Sequence, residues 1–142
     1  MAINETTTTR KEDWEEGDVL TAATTRDKVR RFLDERFCRE RPTVNEDVVL
    51  ADALLVATEL VTNANRHGGG VRAFKLLLAD EGLWITVTDR NRAWPTVTAA
   101  LSGMRAPRPG GLGLLIVRRL SKELTITPAP GGKTIHALVP LN

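Results

Sequence analysis

The chain has 142 residues, with 20 Lys and Arg against 18 Asp and Glu and a formal net charge of +2. That length fits one domain with its own core, and the near balance of charge gives no ground for a direct nucleic-acid or acidic-membrane partner. Cys38 is the only cysteine, which excludes an internal disulfide and a cysteine-based zinc cluster. The apolar runs read as too short to cross a bilayer, and the polar, threonine-rich start is no secretory signal, so a cytoplasmic protein is expected.

Residues 1–16 are polar and acidic and read as a mobile tail, followed by a single domain over 17–142. Gly17 to Thr21 has the apolar pair Val19 and Leu20 and suits a first strand. Thr24 or Thr25 then caps a helix from about Arg26 to Arg39, with Val29, Phe32, Leu33 and Phe37 forming an apolar stripe. Past Pro42, Asn45 opens a second helix that runs to about Arg66 and is apolar almost all round, as a central helix would be. Val71 to Ala79 and Leu83 to Thr88 predict a hairpin around Asp80-Glu81-Gly82. From Arg90 to about Gly111 no periodicity survives. Pro95, Pro107 and Pro109 are interleaved with Arg90, Arg92, Arg105 and Arg108, which suggests a cationic lid. Gly113 to Glu123 reads as a third helix, and Leu124 to Thr127 and Thr134 to Val139 as a closing hairpin. Strands that come in hairpins rather than in βαβ units imply an α+β fold, a two-layer sandwich with helices on one face of a mainly antiparallel mixed sheet.

Glu59 and Asn63 lie four residues apart near the end of the apolar helix, on one helical face and one turn apart. A carboxylate and a carboxamide there can hold a divalent metal and orient a hydroxyl or water. An ionised carboxylate in so apolar a helix is costly unless it is paired or bound. The alternative is a partly exposed helix end with a salt bridge to Arg66. Asp89 closes a strand, where polar groups commonly face ligands, although Asp-Arg-Asn-Arg is also ordinary turn composition. Gly110-Gly111-Leu112-Gly113 leads into a helix whose free amides would attract phosphate. Gly131-Gly132-Lys133-Thr134 looks like the end of a phosphate-binding P-loop, but Thr127 stands where the pattern needs glycine and a strand follows, so it is a hairpin turn. His67 and His136 make no zinc pattern; His67 fits a helix end and His136 a strand face.

Glu59-x-x-x-Asn63-Ala64 on a helix, Asp89 at a strand end and Gly111-x-Gly113-Leu114 at a helix start occur in one order. That order resembles the Bergerat-fold ATPase superfamily. The stretch Ala57-Thr-Glu-Leu-Val-Thr-Asn-Ala-Asn-Arg-His-Gly68 is similar to the anti-sigma-factor serine kinases, particularly the short actinobacterial regulators of that group. The resemblance implies ATP and magnesium as cofactors, with Asn63 binding the metal and Glu59 acting as the general base. It implies Asp89 accepting a hydrogen bond from the adenine amino group, Thr134 supporting that contact, and Gly111 and Gly113 letting lid and helix meet the phosphates. Arg105 and Arg108 are the lid cations placed to reach the triphosphate. Asn91 stands where such proteins often have glycine, which narrows the expected adenine pocket. The implied activity is that of an anti-sigma factor with serine kinase activity. Its partners would be a sigma factor and an anti-anti-sigma protein, and its state monomer or weak homodimer. A nucleotide-binding interaction module without phosphoryl transfer is the alternative.

Overall fold

The computed structural model of the chain describes residues 20–40, 46–91 and 109–140. Helix α1 (Ala22–Glu40) begins where two threonines cap each other. The Thr21 N–H donates to Thr24 Oγ1 (2.8 Å) and the Thr24 N–H donates to Thr21 Oγ1 (3.1 Å), satisfying donors that a helix start leaves over. The cap is therefore Thr21 rather than Thr24 or Thr25. Thr25 instead turns its hydroxyl back onto the Thr21 carbonyl at 2.6 Å. Thr21→Ala should cost about 1 kcal/mol of stability, measurable as a shift in the urea midpoint.

The expected first strand does not include Leu20 or Thr21, which belong to no strand; residues 17–19 lie outside the described residues. Leu20 is buried, and its carbonyl accepts a hydrogen bond from Asn65 Nδ2 at 2.9 Å. The apolar residue read as a strand former thus ties the start of α1 to the end of the central helix.

That central helix is α2 (Glu46–His67). Val49, Ala53, Val56, Ala57, Leu60, Val61 and Ala64 are buried along it, at the three- and four-residue spacing of a core-facing stripe. Val48–His67, 20 residues of mean hydropathy 1.3, is long and apolar enough to cross a bilayer by length and composition, contrary to the expectation from the sequence. Its buried stripe packs within the domain, while Val48 and Leu55 on the same helix are exposed. One side meets α1, and others meet α3 (Pro109–Leu120) and the strands β1 (Val71–Ala79), β2 (Gly82–Asp89) and β4 (Gly132–Pro140). Each fully buried Val or Leu contributes roughly 1.5–3 kcal/mol relative to exposure.

With β3 (Glu123–Ala129), the strands form one sheet of order β1-β2-β4-β3. Every neighbouring pair is antiparallel, so among the described residues the sheet is not mixed. The fold is α+β, an open antiparallel sheet carrying helices, as expected. Side chains alternate across the sheet. Leu83, Ile85 and Val87 of β2 and Ile135, Ala137 and Val139 of β4 point into the core. Asp89 and Lys133 share that parity and are themselves buried.

Helix α3 starts at Pro109, four residues before the expected Gly113. Proline is favoured at the first helical position, where its missing N–H costs nothing. The glycine run is therefore the first turn of a helix rather than the loop before it. The tail 1–16, most of the expected lid, and with it Arg105 and Arg108, lie outside the described residues.

Candidate functional site

The last two turns of α2 and the first turns of α3 enclose a small open cleft. Glu59, Thr62, Asn63 and Arg66 reach it from α2 at spacings of three and four residues, so one stripe of the helix supplies them all. His67 closes that stripe, and Gly113 and Leu114 form the opposite wall. Leu114 is buried and makes that wall apolar, while Glu59 and Asn63 remain partly accessible.

Gly113 explains how the two helices come so close. A Cβ on this residue would overlap the Glu59 carboxylate. The absence of a side chain leaves the carboxylate room directly beside the helix start. This is the close-approach use of glycine.

The α2 terminus is held by backbone bonds. The amides of Gly68 and Gly70 both donate to the Ala64 carbonyl, at 2.9 and 3.0 Å, with Gly69 and Gly70 at positive φ. From the end of β2, the Arg90 N–H donates to the Gly68 carbonyl (2.8 Å) and Asn91 Nδ2 donates to the His67 carbonyl (2.7 Å). His67 thus ends its helix as expected.

Asp89 is brought to the α2 terminus but does not line the cleft. Its side chain lies against Gly68, where a Cβ would stand 2.5 Å from Oδ2. Oδ1 accepts the Asn91 N–H at 2.9 Å, and Oδ2 pairs with Lys133 Nζ at 2.8 Å. Both partners of this ion pair are only 3% exposed. Lys133 also donates to the Asn91 carbonyl at 3.1 Å. The sequence reading passed over Lys133 as a hairpin-turn residue. Its register opposite Asp89 is what gives it a buried partner, and a register is visible only once β2 and β4 pair.

Thr134 is one residue further along β4 and so lies on the other face of the sheet. Its hydroxyl is 2.8 Å from that of Thr88. The side chain beside the Asp89 carboxylate is Lys133 and not Thr134. His136 shares this outer face, flanked by the hydroxyls of Thr86 and Thr127 at 3.4 and 3.5 Å. Burial, with a smaller effect from the Lys75 charge, holds its imidazole below the ordinary histidine value.

The structure therefore brings together Glu59, Asn63 and Gly113, with Gly111 two residues earlier in α3 and not among the residues that line the cleft. It sets Asp89 behind Gly68, in a buried pair. Among the described residues no three His, Cys, Asp or Glu side chains cluster as a metal cage. A hard cation such as magnesium is commonly held by one or two protein oxygens together with substrate phosphates, which is what Asn63 and Glu59 could offer.

A family model described as the histidine kinase-like ATPase domain matches residues 20–138 of the chain. No curated protein matches it.

Proposed function

The chain belongs to the histidine kinase-like ATPase domain family, and on that premise we propose an ATP- and magnesium-dependent anti-sigma factor that phosphorylates an anti-anti-sigma partner on serine. The observation that carries this reading is the cleft in which Glu59 and Asn63, one helical turn apart, face Gly113 of α3. The anti-sigma assignment draws its support from the similarity of the Ala57–Gly68 segment to those kinases. The proposed setting is the cytoplasm, with the sigma factor bound at the surface.

The residues present fit the phosphate end of ATP. The cleft supplies an amide oxygen, a carboxylate and the cationic Arg66, beside the space that Gly113 leaves. When bound, magnesium-ATP supplies the transferable phosphoryl group and a metal that neutralises its charge. Asn63 would hold the metal. Glu59 is placed to take the proton from an incoming serine hydroxyl, which makes that oxygen the attacking nucleophile. Arg66 offsets phosphate charge at the rim.

Magnesium-ATP at about 100 times its dissociation constant should stabilise the fold by roughly 2.7 kcal/mol. Asn63→Ala should remove most of that gain, seen as a much smaller thermal shift. To test the whole reading, the protein is incubated with γ-labelled ATP, magnesium and a candidate anti-anti-sigma protein. Label on a partner serine is the expected result. A thermal shift with ATP but no label on any candidate would instead identify a nucleotide-binding interaction module.

A further inference from the structure

We propose that Lys133 sets the base selectivity of this chain. It occupies the Asp89 carboxylate from within, so that purine nucleoside triphosphates are taken by their phosphates and metal, with little selection for an amino group on the base. This inference rests on the reading that the cleft takes a nucleotide.

Asp89 is the one buried carboxylate among the described residues. Both of its oxygens are engaged, Oδ1 by the Asn91 N–H and Oδ2 by the Lys133 ammonium. The ammonium is itself anchored twice, on Oδ2 and on the Asn91 carbonyl. Lys133 sits directly opposite Asp89 in the β2–β4 register, so the sheet fixes the pair in place. Gly68 closes over the carboxylate from the helix side, and Asp89 contributes nothing to the cleft lining. Asp89 is only 3% exposed and lies against Gly68, so an exocyclic amino group could reach Oδ2 only by displacing Lys133, exchanging a charge-assisted bond for a neutral donor of roughly half the strength. The exchange would also leave the buried Lys133 without its counter-charge, which is costly. The internal partner therefore wins.

The test compares magnesium complexes of ATP and ITP, which differ by an amino group against a carbonyl on the same purine ring position. Dissociation constants are measured by calorimetry on the wild-type chain and on Lys133→Met, with magnesium tripolyphosphate as a base-free competitor. The expected wild-type preference for ATP over ITP is within about threefold. In Lys133→Met the released carboxylate should raise that preference to about tenfold or more. A wild-type preference of about tenfold or more overturns the proposal, and so does a preference that Lys133→Met leaves unmoved. Should that variant fail to fold, Lys133→Gln replaces it; its neutral amide holds Oδ2 less strongly than the ammonium, so the preference should still rise above the wild-type value, and an unmoved preference overturns the proposal. If ATP, ITP and tripolyphosphate all fail to bind, the nucleotide reading falls and this inference with it. Binding with strong ATP selectivity sinks the inference alone.

Discussion

Replacing Glu59 with alanine should lower phosphoryl transfer to a partner serine by on the order of a hundredfold or more, while nucleotide binding survives. The carboxylate stands in the cleft beside the start of α3, with Gly113 leaving it space. As the proposed general base, Glu59 would act as the serine proton departs, so its loss should raise the barrier without removing what would hold the nucleotide in the ground state. The metal-binding role is assigned to Asn63, one turn away, and is untouched by the change. Transfer of label and the thermal shift with magnesium-ATP, measured on the same preparation, separate the two effects. Transfer at the wild-type rate would show that Glu59 is not the base. Loss of both would place Glu59 in binding rather than chemistry.

Lys133→Met should destabilise the domain by about 3–5 kcal/mol, the usual effect of stranding one member of a buried ion pair. The side chains of Lys133 and Asp89 are each only 4% exposed, so solvent cannot replace the lost partner. Methionine keeps similar bulk, which confines the loss to the charge and its hydrogen bonds to Asp89 and the Asn91 carbonyl. The double variant Asp89→Asn with Lys133→Met should recover most of the loss, because no charge is then left buried. Urea denaturation of the wild type, both single variants and the double variant gives the coupling directly. A single-variant cost below about 1 kcal/mol would mean that the pair behaves as a surface salt bridge. A small domain has roughly 5–15 kcal/mol to lose, so the variant is expected to remain folded for binding measurements.

What the sequence revealed, and what it hid, follows from the range of each interaction. The central helix, both hairpins and the Glu59–Asn63 pair are local patterns, set by 3.6- and 2-residue periods and by short turns. All of these were legible. The edges of elements were less so. The reciprocal Thr21–Thr24 cap was present as a threonine three residues before another, but it was assigned one turn too late. Pro109 carried a helix-start signal that the neighbouring glycines masked. Thr134 and Lys133 show the harder limit. They are adjacent in sequence, and whichever faces Asp89 is decided by strand register, where a shift of one residue exchanges the two faces. No single-strand pattern distinguishes them. Lys133 is also a buried cation in a turn-like segment, a position that composition alone assigns to solvent.

The sheet order has a consequence for when the protein becomes competent during synthesis. Strands β1 and β2 join through Asp80 and Glu81, and β3 and β4 through Pro130 and Gly131, so each hairpin closes cheaply and early. The seam between them is the β2–β4 pairing, which unites residues dozens of positions apart and belongs to the slow end of folding. Glu59, Asn63 and Asp89 arrive on one side of that seam, and Gly113 and Lys133 on the other. Until β4 is made and pairs with β2, Asp89 lacks its Lys133 partner, although every residue of the cleft is already present. The Asp89–Lys133 pair is therefore completed only when that seam closes.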